Sequence, residues 1–229
     1  MLNLMKLEMK RVNTRGMLLT FLLINGGIIG LFLLVCLDAE AAAEFYSSTS
    51  HLMLLIEVFV MAAFVIYASV LLSTLIIDEF KNKTITVLYM YSIERRKILM
   101  AKLLIVSGIT FFSFLISSVL VYYSLYFLNS LIELTPVTLT FVLSLKDMAH
   151  LLLTAIATTG ISLIPLFFGM MKYSVPATIT SSVLLIAVLS SVLNSGVNLF
   201  TFIGIPITLG IIGFTIAYLV IKKAVRKDF

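Results

Sequence analysis

The sequence predicts an all-α polytopic membrane protein with six transmembrane helices and both termini in the cytoplasm. Its composition is 61% hydrophobic and only 12% charged, with a mean hydropathy of +1.17, whereas a soluble domain contains about 45–50% apolar and about 25% charged residues. Six apolar runs reach the length of about 20 residues that a helix needs to cross a bilayer. The basic residues are concentrated at alternate ends of these runs, as the positive-inside rule describes.

The six apolar runs occupy nearly all of the 229 residues, so we predict a single transmembrane domain and no soluble domain. The spans are predicted at about residues 17–37, 52–77, 103–128, 148–171, 174–193 and 199–221. No long stretch alternates between polar and apolar residues as the strands of a membrane barrel do. Three glycines and one proline predict a break in the sixth span, with "NLFTFIGIP" as a short re-entrant segment. They are Gly204, Pro206, Gly210 and Gly213.

The positions of Lys and Arg predict the orientation. Fifteen of the 16 lie before the first span, between spans two and three, between spans four and five, or after span six. Lys146 is the exception, and the first loop, "DAEAAAEFYSSTSH", has three carboxylates and no base. Because basic loops stay in the cytoplasm, both termini are predicted to be cytoplasmic. The net charge of +5 reflects this bias rather than nucleic-acid binding, so we expect membrane lipid and no nucleic acid among the partners.

Residues 1–16 are predicted to form an amphipathic helix on the membrane surface. Leu2, Met5 and Met9 share one face, while Lys6 and Lys10 share another. This spacing suits a helix that lies on the cytoplasmic leaflet with its bases near anionic lipid. The alternative is a positive cluster that only sets the topology.

The loop between spans two and three is the most charged part of the chain. Nine of the 27 charged residues lie within residues 78–102. Ile85, Leu88 and Tyr89 have helical spacing and form a small apolar patch, and Ser92 can cap a second helix that continues into span three. Such a patch, surrounded by charge, is suited to docking in a groove of another protein. The alternative is a positive-inside anchor, which leaves the acidic residues and the apolar spacing unexplained.

Motifs for catalysis are absent from the sequence. No G-x-x-x-x-G-K-[ST], H-E-x-x-H, C-x-x-C or G-x-S-x-G is present, so we expect no nucleotide, metal or catalytic site on this chain. Ionisable groups inside spans are functional candidates because their burial is costly. Glu57 and His150 enter spans two and four from the same side. They form either a polar pair or proton relay, or two groups solvated at the interface, and their shallow depth favours solvation.

Small polar residues within the spans mark a candidate translocation path. Besides Glu57, the residues predicted to line this path are Asn25, Ser113, Ser117, Thr154 and Thr158. Their stripes either line a substrate path or bond to their own helix and to neighbouring helices, and packing is the commoner role for such residues.

In the charged loop, Glu79 is followed by "KTI" at residues 83–85 and by "SIERRKILMAKLL" at residues 92–104. This pattern resembles the corresponding loop of ABC-2-type transporter permeases, which typically has a Glu, then x-G-T-[IL], then P-[IV]-S-R-x-x-[IL]-x-x-x-K-[LY]-[LI]. Lys83 and Ser92 replace the usual Gly and Pro. The six spans, the surface helix and the broken sixth span extend the resemblance over essentially the full length, as a single permease domain.

The resemblance implies the permease subunit of an ATP-driven exporter in the bacterial plasma membrane. Such permeases pair with a second copy or a paralogue and bind two copies of a separate ABC ATPase, which carries the ATP and Mg²⁺. The exported molecule would be an antimicrobial peptide, a drug or another amphiphile. The residues implied in coupling to the ATPase are Asp78, Glu79, Lys83, Thr84, Ile85, Leu88, Tyr89, Arg95 and Arg96.

Two other functions are compatible with the sequence. Glu57 and His150 could serve an intramembrane enzyme, or Glu57 could be the proton site of a stand-alone carrier. Both alternatives predict activity from this chain alone, whereas the permease requires an ATPase partner.

Overall fold

The computed structural model describes residues 14–36, 49–82, 95–132, 145–193 and 204–226, and all its regular elements in these ranges are helical. The helices are α1 Thr14–Cys36, α2 Thr49–Leu72, α3 Asp78–Lys81, α4 Arg95–Ile132, α5 Leu145–Ile161, α6 Pro165–Lys172, α7 Val175–Leu193 and α8 Gly204–Arg226. A π-helical turn, Ser73–Ile77, joins α2 to α3. The predicted surface helix at residues 1–16 lies outside the described residues, except for its last three, which begin α1.

Five helical stretches of the described chain are long and apolar enough to cross a membrane. They are Arg15–Cys36, Leu52–Lys81, Arg96–Ser130, Leu145–Lys172 and Pro206–Lys223. The remaining predicted span corresponds to α7, whose apolar stretch of Val175–Ser190 is shorter. The prediction of an all-helical protein embedded in a membrane is therefore confirmed for the described residues.

Helix α2 lies at the centre of the bundle. It packs against α4, α5 and α7, and its residues Val60, Phe64, Val65 and Ala68 have no exposed surface. A helix that is apolar all round, as α2 is, can be buried from several sides. Helix α1 is peripheral, because only 17% of its most apolar window is buried. It contacts α4 and α2 and leaves a row of leucines on the outside, where lipid tails can cover them.

Glycines bring the backbones of α5 and α8 into close contact. A Cβ placed on Gly160 would overlap the backbone of Gly210, and one placed on Gly213 would overlap the backbone of Gly160. Small residues permit such backbone contact between membrane helices. The prediction that these glycines break the sixth span is wrong for residues 204–226, because α8 is continuous there. Residues 198–203 of the predicted re-entrant segment lie outside the described residues.

The fourth predicted span is two helices with a bend between them. Helix α5 ends at Ile161, three residues form a turn, and Pro165 begins α6. Proline at the first helical position loses no hydrogen bond, because its missing N–H would be unpaired there in any case. Helix α6 ends at Tyr173, which has a left-handed backbone (φ 46°). The amide of Ser174 then donates to the carbonyl of Gly169 at 3.2 Å, as in a Schellman motif.

Candidate functional site

The two ends of the charged loop meet in a buried ion pair. The Lys102 ammonium on α4 contacts the Glu79 carboxylate on α3, and their side chains are 0% and 8% exposed. The same ammonium donates to the carbonyl of Leu75 at 2.9 Å. We call this arrangement, of Glu79, Lys102 and the Leu75 carbonyl, the loop clamp.

The π-helical turn contributes to the loop clamp. Within it the amide of Asp78 donates to the carbonyl of Ser73, five residues earlier, instead of four. A π-helical turn interrupts the regular i to i−4 bonding of the helix, and here the Leu75 carbonyl accepts a side-chain hydrogen bond from Lys102. Just past this turn, Glu79 and Phe80 are buried. Span two thus continues past its predicted end at residue 77 and brings Glu79 to α4.

Sequence reasoning placed Glu79 at the coupling site but gave Lys102 no role. A signal was present, because Lys102 shares a helical face with the buried residues Ile98, Leu99 and Val106. A lysine on an apolar stripe needs an acidic partner or a surface outlet. Glu79, which precedes it by 23 positions, is an acidic candidate at the end of the preceding span.

Three further coupling residues fall in the described part of the chain. Asp78 is partly exposed at the start of α3, and Arg95 begins α4. Arg96 is exposed and donates to the Tyr218 hydroxyl of α8 at 3.2 Å, with its guanidinium 5.4 Å from the ring centre. Lys83, Thr84, Ile85, Leu88 and Tyr89 lie outside the described residues. Helix α4 runs from Arg95 directly into span three, which confirms that part of the predicted loop structure.

A second polar cluster lies near the other end of α2. The Nδ1 of His150 on α5 is 3.1 Å from Oε1 of Glu57 on α2, and the two side chains are 24% and 7% exposed. Thr154 Oγ1 lies 3.4 Å from the same Nδ1 and donates to the His150 carbonyl at 2.9 Å. The structure therefore pairs the two residues. The expectation that both are solvated at the interface is wrong for Glu57, because the neighbouring helices cover it.

A small cavity adjoins Glu57 between α2, α4 and α5. It has about 20 Å³ of space for the centre of a water-sized group, and its walls are largely apolar. The lining residues are Met53, Ile56, Glu57, Ser118, Val119, Tyr122 and Leu151. Two buried polar atoms in this lining, Oε2 of Glu57 and Oγ of Ser118, have no hydrogen-bond partner among the described residues. Sequence reasoning missed Ser118, because it chose the neighbouring Ser117 for the candidate path.

Most of the other candidate path residues bond to the protein itself. The buried Ser117 hydroxyl donates to Oδ1 of Asn25 at 2.6 Å, which joins α4 to α1, and Asn25 donates to the carbonyl of Phe21. Thr154 and Thr158 donate to carbonyls four residues earlier in α5. Ser113 is partly buried on α4. These contacts agree with the packing role of such residues, and only Glu57 of the predicted set borders the cavity.

No group of three His, Cys, Asp or Glu residues that could hold a metal ion occurs in the described ranges.

Comparison with known proteins gives one informative match. The chain is 34% identical over 228 residues to the "Uncharacterized protein YcbO" of Bacillus subtilis (strain 168), and the match covers 99% of this chain and 100% of that protein. No family model matches the chain, and no solved structure matches it.

Proposed function

The chain belongs to the same family as YcbO of Bacillus subtilis, and we propose that it is the membrane-spanning permease subunit of an ATP-driven transporter. In this proposal it spans the bacterial plasma membrane six times, with both termini in the cytoplasm. It forms a dimer with a second copy or a paralogue. Two copies of a separate ABC ATPase bind the dimer from the cytoplasm and carry the ATP and Mg²⁺.

The loop clamp is the observation that carries the proposal. A transporter of this kind must transmit movement of the ATPase to the spans through a short cytoplasmic segment. Here α3 precedes the loop and α4 follows it, and Glu79 and Lys102 join these two helices directly. A buried, paired charge resists separation, because breaking the pair leaves an uncompensated charge. A force on the loop therefore displaces spans two and three together.

Contacts beyond the loop clamp extend this connection to other helices. The Phe80 ring stacks on Tyr173, between α6 and α7, at 5.7 Å between ring centres and 14° between planes. Arg96 contacts Tyr218 of α8. Both contacts are at the end of the bundle that carries the loop clamp, so a movement of the loop reaches α7 and α8 as well. The exported molecule in this proposal is an antimicrobial peptide, a drug or another amphiphile.

Copurification with the ATPase tests the proposal. The full chain, extracted from its native membrane in a mild detergent, is expected to bring down a nucleotide-binding protein whose ATP hydrolysis it stimulates. Leu88→Asp should abolish binding or stimulation, because it removes an apolar anchor worth about 1.5–3 kcal/mol and introduces a charge. Arg96→Ala should have a smaller effect, since an exposed polar contact contributes about 0–1 kcal/mol.

Leu88→Ile is the matched control, because it keeps an apolar side chain of the same size. We expect it to bind the ATPase as the unmodified chain does. Full ATPase binding and transport by Leu88→Asp would show that the loop is not a docking element.

A second candidate function rests on the Glu57–His150 pair. Its burial and its 3.1 Å contact suit a proton site in a stand-alone carrier or the acid–base pair of an intramembrane enzyme. Activity of the purified chain in vesicles without any ATPase would favour this candidate over the permease.

A further inference from the structure

We propose that the cavity beside Glu57 binds the ammonium group of a primary amine that carries an apolar chain. This inference rests on the proposed function and gives it a substrate class: amphiphiles with an unblocked amine. The site consists of Oε2 of Glu57 and Oγ of Ser118, with apolar walls from α2, α4 and α5.

Both oxygens can accept a hydrogen bond from a donor in the cavity. Glu57 and Ser118 are 6% and 3% exposed, and neither Oε2 nor Oγ has a partner among the described residues. A carboxylate accepts hydrogen bonds only, and an alkylammonium donates only, through three N–H groups. Buried polar atoms without partners destabilise a protein. An ammonium that donates to both oxygens removes that penalty at two atoms at once.

The charge of the cluster favours a cation over a neutral donor. Nδ1 of His150 lies 3.1 Å from Oε1 of Glu57, while Oε2 of the same acidic side chain has no partner among the described residues. A water molecule would satisfy the two oxygens but would not neutralise the buried charge, which is costly inside a membrane.

The size and walls of the cavity define the ligand further. The cavity volume of about 20 Å³ exceeds the roughly 10–15 Å³ that one water needs. A primary ammonium group is similar in size to a water molecule, so it fits as well. A trimethylammonium group is larger and cannot donate a hydrogen bond. Met53, Ile56 and Leu151 form apolar walls. Val119, also in the lining, is 38% exposed, so the cavity borders the outer surface of the bundle, where an alkyl chain can extend into lipid.

Two sources present this chemistry, an exported amine and the head group of phosphatidylethanolamine. The experiment therefore uses the full chain in nanodiscs of phosphatidylglycerol, which contains no amine. Dodecylamine is titrated by calorimetry, and the heat of its partition into empty nanodiscs is subtracted. We expect saturable binding, and at least tenfold weaker binding of dodecyltrimethylammonium.

Variants identify the two oxygens. Glu57→Gln keeps the shape of the side chain but not its charge, and should weaken dodecylamine binding at least tenfold. Ser118→Ala removes one acceptor and should weaken it about three- to tenfold. Ser124→Ala is the matched control on α4, because the Ser124 hydroxyl donates to the carbonyl of Val121 in its own helix. It should bind as the unmodified chain does.

Equal affinity for the two amines, or unchanged binding in Ser118→Ala and a monodisperse Glu57→Gln, would overturn the proposal. Should Glu57→Gln aggregate, unchanged binding in Ser118→Ala alone would overturn it. Nanodiscs that contain phosphatidylethanolamine or phosphatidylcholine identify the source of the ammonium group. If dodecylamine binds more weakly with phosphatidylethanolamine but not with phosphatidylcholine, the lipid head group competes for the site, which is then assigned to the lipid. Equal binding in both assigns it to the exported amine.

No ATPase is present in this assay, so its result is independent of the permease assignment. Amine binding by a chain that stimulates no ATPase would keep the site and reject the permease function. ATPase stimulation without amine binding would do the reverse.

Discussion

Lys102 has no exposed surface, although the sequence placed it in a basic loop. Its ammonium is stabilised by the Glu79 carboxylate and the Leu75 carbonyl, so burial of the charge is compensated. Glu57 shows the opposite case, since only one of its oxygens is paired within the described chain. The position of a residue within a predicted span does not show whether its charge is paired, because burial depends on which helices lie beside it. One carboxylate therefore has a structural role, and the other borders a cavity.

Substitution of Lys102 by methionine should destabilise the protein by about 3–5 kcal/mol, because it leaves the buried Glu79 charge without its partner. The double variant Glu79→Gln with Lys102→Met should recover much of this loss, since no charge then remains in the loop clamp. Thermal unfolding in detergent of the two single variants and the double variant measures the coupling. Additive effects of the two substitutions would show that the side chains do not stabilise each other.

Among the helices, the long apolar runs were predictable and the interruptions were not. Each predicted span overlaps a helix, because length and hydropathy identify apolar helices. The bend after Ile161 and the continuity of α8 depend on neighbours. Pro165 begins a new helix, whereas Pro206 is accommodated in the first turn of α8, where its missing N–H costs no hydrogen bond. Glycines in α8 face α5. A sequence alone does not show whether a glycine bends its helix or allows a neighbouring helix to pack closely against it.

Gly213→Ala tests the contact between α5 and α8. Its added methyl group would overlap the backbone of Gly160, and such overpacking costs about 1–3 kcal/mol. Gly108→Ala is the matched control, because a Cβ there meets nothing within 4 Å and alanine favours a helix by about 1 kcal/mol. We expect a lower unfolding temperature for Gly213→Ala and an unchanged or higher one for Gly108→Ala. Equal effects would mean that the two helices do not touch at Gly213.

At the scale of the whole molecule, five described stretches can cross a membrane, and α7 is shorter. The six-span arrangement rests on α7 crossing as well, and the basic residues of the sequence support it. Lys172 follows the α5–α6 stretch, and Lys222 and Lys223 close α8, all exposed. An even number of crossings places both termini on one side. The proposed orientation places the loop clamp at the cytoplasmic face and Glu57 in the outer half of the membrane.

Cysteine labelling tests this topology. With Cys36 first replaced by serine, Asn3→Cys and Lys227→Cys should react with an impermeant maleimide only after the membrane is permeabilised. Ser47→Cys in the acidic first loop is the control and should react in intact cells. Labelling of position 3 or 227 in intact cells would contradict the six-span arrangement.

Helix α2 continues through the π-helical turn into α3, so a tilt of this stretch at one end displaces the residues at its other end. Glu57 and Glu79 are 22 residues apart on it, which at about 1.5 Å per residue corresponds to roughly 33 Å, close to the thickness of the hydrocarbon core. A tilt of about 5° around the α3 end would move Glu57 by about 3 Å over that length. That displacement is as large as the 3.1 Å contact with His150. An angular change too small to disturb the packing at the pivot would therefore be enough to open the Glu57–His150 pair at the far end.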